Sequence, residues 1–352
     1  FVFGRGTERD LSRGLRTMLQ ITKPYLLFLA EEQDETNAKT AMGLRDWAPE
    51  DCVGQWGLPG CTIDLGLPTL RPAEAYDRGA RSLLVGVAPV GGAIPDSWLP
   101  ALLEALDAGL DIVSGMHTRL VDIPVLRERA EALGRNLHDV RHAGRSFPIA
   151  TGRKRSGKRL LTVGTDCALG KKYTALAITR ELQRRGIKAD FRATGQTGVM
   201  ISGGGVAIDA VVADFIAGAA ETLSPDNDAD HWDVIEGQGS LFHPAYAGVT
   251  LGLLHGSQPD AFVLCHDPTR KTLSRYPDFP LPSLRHAVEV YLTMGRVTNR
   301  AIRCVGIALN TSRCTEEERA RALAAARDET GLPAFDPLKD GVGAAVDLLE
   351  TI

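Results

Sequence analysis

The sequence predicts an α/β protein built from two parallel sheets covered by helices. Three observations carry that expectation. The chain has 352 residues, more than one typical domain holds, so two cores are expected. From Lys23 onward, apolar runs of strand length alternate with amphipathic stretches of helix length, and repeated strand-then-helix order builds a parallel sheet. Near the midpoint, an apolar run enters a glycine-containing loop that closes on Gly170 and Lys171.

In the first half, Tyr25–Ala30, Leu83–Ala88 and Leu110–Ser114 read as strands, and Ala73–Ala80, Ser97–Ala108 and Val125–Leu133 as helices. Gly86–Gly92 has the glycines of a strand-to-helix turn without the G-x-G-x-x-G spacing of a dinucleotide fingerprint. The expectation is a Rossmann-like domain over residues 22–145. Residues 1–21 read as an N-terminal extension, because Arg5, Arg9, Arg13 and Arg16 are interleaved with Glu8 and Asp10 and no apolar core of a secretory signal is present. Arg141–Leu160 holds seven Lys or Arg and no acid. We expect residues 146–159 to form a solvated basic linker, placed directly before the next strand and so open to phosphate contact.

The second half, residues 160–352, reads as a P-loop NTPase-like α/β domain. Strands are expected at Leu160–Val163, Ala189–Ala193, Val234–Glu236, Ala261–Cys265 and Cys304–Leu309, with helices at Lys171–Arg185, Val206–Glu221, Leu284–Met294 and Glu316–Asp328. No internal repeat and no low-complexity tract interrupts this order.

Composition narrows the function. With 44% hydrophobic and 24% charged residues, the chain has the apolar mass for real cores. A net charge of -4 leaves no basic excess for nucleic acid, so anionic ligands must be bound locally. No apolar run approaches the roughly 18 residues of a spanning helix, and membrane insertion is not expected. The six cysteines show neither a C-x-x-C pair nor a disulfide framework, which suits reduced thiols in the cytoplasm.

The sharpest local signal is Leu160–Thr174. Helix N-terminal N–H groups with the positive dipole end behind them bind anionic oxygens, and a lysine adds a mobile charge. The usual pattern has four residues between the glycines and Ser or Thr after the lysine; here five intervene, between Gly164 and Gly170, and Lys172 follows Lys171. A protonated lysine cannot ligate a cation, so Mg-nucleotide chemistry is weakened and a donor phosphate held without metal is favoured. Gly164, Thr165, Asp166, Cys167, Ala168, Leu169, Gly170, Lys171, Lys172 and Tyr173 are the candidate phosphate-binding residues.

This loop resembles the G-T-D-x-x-x-G-K loop of dethiobiotin-synthetase-like P-loop enzymes, and Val234–Ser240 resembles their E-G-x-G segment. More broadly, Pro24–Leu29, Ala38–Ala41, Gly115–Arg119, Gly164–Tyr173, Ala193–Gly198, Asp209–Phe215, Glu236–Pro244, Leu254–Gln258 and Cys265–Pro268 together resemble the bacterial D-glutamate N-acetyltransferase family. The resemblance runs from about Lys23 to the C-terminus. It implies acetyl transfer from acetyl-CoA, as co-substrate, to the amine of D-glutamate or a similar acidic amino acid, with a small-molecule partner only. A Mg-ATP-dependent ligase or kinase of the dethiobiotin-synthetase type is the alternative, and a homodimer is the assembly we expect.

Acyl transfer to an amine requires a proton acceptor. Asp209, Glu236 and His243 are the catalytic candidates, Glu236 because an acid ending a buried strand must be partnered or functional. Asp209 and Asp214, five apart on the expected helix, need not share a face. Two carboxylates on the acceptor call for planar donors, for which Arg192 and Arg270 are the candidates, and Thr194, Gln196 and Thr197 lie in a glycine-rich segment at a strand's carboxyl end. His117 and Arg119 are weaker candidates. Cys167 reads as a small residue beside the loop backbone rather than a nucleophile. His243, His255 and His266 match no common zinc spacing, and no metal is expected.

Overall fold

The computed structural model describes residues 20–89, 91–142 and 146–352. The expected extension lies outside the described residues as far as residue 19. Ile21 is already buried, and its N–H donates to the Gly203 carbonyl, so the last part of that segment belongs to the fold.

The chain forms two compact units, one of residues 1–145 and 196–210, the other of residues 146–195 and 211–352. The first holds a parallel sheet of order β2-β1-β3-β4-β5: β1 (Tyr25–Ala30), β2 (Cys52–Gly57), β3 (Ser82–Val85), β4 (Asp111–Ser114) and β5 (Leu137–Asp139). Every residue of β1 is buried, as a strand covered on both faces requires. Helices α1 (Lys39–Trp47), α2 (Pro72–Asp77), α3 (Leu99–Asp107) and α4 (Pro124–Leu133) connect the strands.

The second unit holds a parallel sheet of order β13-β12-β9-β6-β8-β7. Its strands are β6 (Lys158–Gly164), β7 (Ala189–Arg192), β8 (Trp232–Ile235), β9 (Ala261–His266), β12 (Arg303–Leu309) and β13 (Ala334–Phe335). Between β9 and β12 the chain makes an antiparallel hairpin, β10 (Thr272–Leu273) and β11 (Tyr276–Pro280). Helix α5 (Lys171–Arg184) follows β6; α6 (Gln196–Ser202), α7 (Ile216–Leu223), α8 (Ala247–Ser257), α9 (Leu284–Gly295), α10 (Glu316–Thr330) and α11 (Gly343–Leu349) complete the helices described here. Helix α10 starts in a capping box between Thr315 and Glu318 and stops at Gly331 in the left-handed region, a local stop signal. Among the described residues no helix is long and apolar enough to cross a membrane.

Three expectations are corrected. Residues 196–210 join the first unit rather than the second half, because Tyr25 Oη donates to the Met200 carbonyl and Lys23 Nζ to the Ile201 carbonyl. The helix expected over Val206–Glu221 is broken for the same reason: the chain leaves one unit for the other at Ala210, so Asp209 and Asp214 sit in short 3-10 turns and α7 begins only at Ile216. The basic segment 146–159 is solvated only in part: residues 151–154 are exposed, but two of its arginines are not. Arg155 and Arg159 are 6% and 1% exposed and donate to the carbonyls of Ser224, Pro225, Gly256 and Ser257, tying the segment into the second unit's core.

Candidate active site

Strand β6 delivers the chain to the edge of its sheet at Gly164, where the loop to α5 begins. The loop closes on Gly170, whose φ of +103° is one that a side chain disfavours. Lys171 then opens α5, and its ammonium folds back to donate to the Asp166 carbonyl at 2.8 Å. Burial pulls the Lys171 pKa below the ordinary lysine range.

Asp166 holds the loop's shape. It is fully buried; one carboxylate oxygen accepts from the Cys167 N–H, the other from Arg270 Nη1 at 2.8 Å and the Ser274 N–H at 2.8 Å. Arg270 also donates to the Cys167 and Ala168 carbonyls. The hydroxyl of Thr165 lies 2.9 Å from His266 Nδ1. The loop is therefore braced by the segment between β9 and β11.

A second loop, leaving β8 at Glu236, runs beside the first. Here Gly237 is obligatory, since a Cβ at this position would lie 1.6 Å from the Thr162 carbonyl. Its N–H donates to the Thr162 hydroxyl. Tyr291 joins the two loops from α9, donating to the Gly164 carbonyl at 2.8 Å and accepting from the Leu241 N–H at 3.2 Å.

Glu236 is 4% exposed. Its Oε2 accepts from the N–H groups of Thr194 and Gly195, each at 3.0 Å, and its backbone carbonyl accepts from the Thr194 hydroxyl. Burial pushes its pKa above the ordinary glutamate range, against the opposing pull of the Lys172 ammonium and the two N–H groups. Lys172, whose ammonium lies 4.7 Å over the Tyr173 ring, is lowered by burial and drawn back by Glu236. The carboxylate and the ammonium thus each act on the other's titration.

His243 is 2% exposed, stacked on Tyr246 and met edge-on by Tyr276 of the hairpin. Its Nδ1 accepts from the Ala245 N–H, which assigns the hydrogen of the neutral ring to Nε2. His243, Cys167 and Asp166 bring one potential ligand atom each within 4.8 Å of one another. Oδ2 of Asp166 already accepts from Arg270 and the Ser274 N–H, whereas Oδ1 accepts from the Cys167 N–H alone. Burial raises the Cys167 thiol, although the Lys171 ammonium pulls it down.

The second unit thus gathers the phosphate loop, Thr194, Glu236 and His243. It does not free the two arginines expected to grip an acceptor's carboxylates. Arg192 donates to Asp233 at 2.8 Å and to Asp190 at 3.2 Å, and Arg270 is committed to Asp166 and to Asp267, 3.3 Å away. Gln196, Thr197 and Asp209 belong to the first unit, where Asp209 accepts from Arg141 Nη1 at 2.5 Å and from Gln196. Tyr291, Ser274 and Arg141 were not singled out in the sequence, since an isolated tyrosine, serine or arginine carries no local signal.

Two family descriptions match the chain: "Domain of unknown function (DUF1611_C) P-loop domain" over residues 148–346 and "Domain of unknown function (DUF1611_N) Rossmann-like domain" over residues 56–143. A curated relative named D-glutamate N-acetyltransferase, from Tritonibacter scottomollicae, is 52% identical over 332 residues, covering 94% of this chain and 100% of the relative. Another of that name, from a Pseudoalteromonas species, is 46% identical over 328 residues, covering 93% and 99%. The crystal structure of a DUF1611 family protein from Anabaena variabilis superposes with a TM-score of 0.81 at 34% identity, covering 94% of this chain and 100% of that one.

Proposed function

Because the chain belongs to the DUF1611 family, with its Rossmann-like and P-loop domains, and has two relatives named D-glutamate N-acetyltransferase, we propose that it moves an acetyl group from acetyl-CoA to the amine of D-glutamate. The activity class is amino-acid N-acetyltransferase, and the Mg-ATP-dependent ligase or kinase is not favoured.

The observation that carries the choice of donor is Lys172. It occupies the place after the phosphate-loop lysine where a magnesium-binding hydroxyl ordinarily stands, and its charge lies in the field of Glu236. A donor pyrophosphate held by loop N–H groups, Lys171 and helix dipole needs no cation. The residues fit such a group: the loop is glycine-closed, buried at Lys171 and braced from behind by Arg270.

In the reaction, the acceptor's neutral amine attacks the thioester carbon, the carbon–sulfur bond breaks, the amine proton passes to a base, and CoA leaves as a thiolate that takes up a proton. Glu236 is the base we assign in the second unit, with Oε2 locked by two N–H groups and its basicity raised by burial. His243, with hydrogen on Nε2, is a donor for the developing charge on oxygen or sulfur rather than a base.

Calorimetry with acetyl-CoA, CoA and Mg-ATP in parallel, combined with mass spectrometry of products from D-glutamate, tests the reading. We expect both CoA species to bind and N-acetyl-D-glutamate to form without added metal. Tight Mg-ATP binding with no CoA binding, and no acetylated product, would reject it.

A further inference from the structure

An amino acid presents an ammonium and a carboxylate on one carbon, and a site that holds it needs an anion beside a cation with donors to spare. Neither Arg192 nor Arg270 has that freedom. The first unit supplies the arrangement. Strand β5 ends at Asp139, Val140 pairs back to the Ser114 carbonyl, and Arg141 is the next residue, beyond the carboxyl end of a parallel sheet where open α/β folds bind their ligands. Helix α6 comes close to the same edge because Gly115, following β4, has no side chain: a Cβ there would meet Gln196 Cβ at 3.1 Å and Met200 Cε at 3.2 Å.

That approach lines up Gln196 and Asp209 with Arg141. Asp209 Oδ2 accepts from Arg141 Nη1 at 2.5 Å, Gln196 Nε2 lies 3.3 Å from the same carboxylate oxygen, and the hydroxyls of Thr197 and Thr40 are 3.3 Å apart. The Arg141 side chain is 20% exposed. Among the described residues its Nε is shut off from solvent without a partner, as is Nε2 of the adjacent His142. Buried donors left unpaired are costly and call for an acceptor.

We propose that this cluster is the acceptor subsite: Arg141 takes the α-carboxylate of the amino acid through its Nε edge, and Asp209 takes the ammonium. Each half of the Arg141–Asp209 pair then exchanges its partner for the complementary end of the zwitterion. The inference rests on the acetyl-transfer reading for the identity of the ligand.

The test uses the full-length protein with Arg141→Met, Arg141→Lys and Asp209→Asn. D-Glutamate binding is measured by calorimetry without donor, and KM is measured for both substrates. Loss of one charge-assisted contact of about 1.5 to 3 kcal/mol corresponds to about 10- to 100-fold. We expect that loss in D-glutamate affinity for Arg141→Met, a smaller loss for Arg141→Lys, and KM for acetyl-CoA within about twofold of the parent. D-Glutamate affinity unchanged in a folded Arg141→Met or Arg141→Lys variant, or KM for both substrates rising together, overturns the subsite. Failure of the parent protein to acetylate D-glutamate is a separate result that rejects the function.

Discussion

Arg270 and Asp166, 104 residues apart in sequence, form the ion pair that closes the phosphate loop from behind, with Nη1 2.8 Å from Oδ2. The same guanidinium holds the Cys167 and Ala168 carbonyls, so one side chain fixes three consecutive loop residues. The carboxylate is fully buried, so removing Arg270 leaves a buried charge with no countercharge, held by the Cys167 and Ser274 N–H groups alone.

Arg270→Met is therefore expected to destabilise the fold by about 3 to 5 kcal/mol, the cost of an uncompensated buried charge. Pairing it with Asp166→Asn should recover part of that loss, because the charge is gone. Denaturant unfolding of the two singles and the double gives the coupling. Additive effects would show that the two side chains act independently.

Tyr291→Phe removes one hydroxyl that serves both the Gly164 carbonyl and the Leu241 N–H. Leaving those buried groups unpaired should cost about 1 to 3 kcal/mol. We expect a lower Tm and weaker CoA binding together, since the hydroxyl sets the spacing of both loops. A lower Tm with unchanged CoA affinity would confine Tyr291 to the core.

These relationships explain what the sequence does and does not display. Strands such as Tyr25–Ala30 and Ala261–Cys265 are legible because burial on both faces leaves an unbroken apolar run. Helix α8 hides its period, its eleven residues holding Gly248, Gly252 and Gly256, and α6 reads as a glycine-rich turn although Val199, Met200 and Ile201 are buried. The phosphate loop is legible as a contiguous motif. Its brace is not, because Arg270 and Tyr291 reach it only through tertiary contact, and a sequence offers no sign that Arg192 is occupied by Asp190 and Asp233.

Lys171→Ala should weaken CoA binding by about 10- to 100-fold, the loss of one charge-assisted phosphate contact. The fold is expected to survive, because in the protein Lys171 gives up only its bond to the Asp166 carbonyl. Activity should persist in EDTA, since Lys172 stands where a magnesium ligand would be. Loss on chelation with recovery on adding magnesium would instead restore the nucleotide-dependent reading.

The final prediction concerns the proton acceptor. Burial places the Glu236 pKa above its ordinary value of about 4.3, and the Lys172 ammonium opposes that shift. A base works only when ionised, so the rate should fall as pH drops through this raised value, giving an acid limb above the ordinary carboxylate range. Lys172→Met removes the opposing charge, so the limb should move to higher pH. Glu236→Gln keeps the shape and the N–H bonds but removes proton acceptance, and kcat should fall by about 10² to 10⁴ with little change in CoA affinity. Asp209→Asn, by contrast, should act mainly on KM for the amino acid. If Asp209→Asn shows the kcat defect and abolishes the acid limb, while Glu236→Gln changes only affinity, the two carboxylates exchange roles. If both variants fold and keep kcat within about threefold of the parent, too little for a general base of ordinary strength, neither carboxylate accepts the proton.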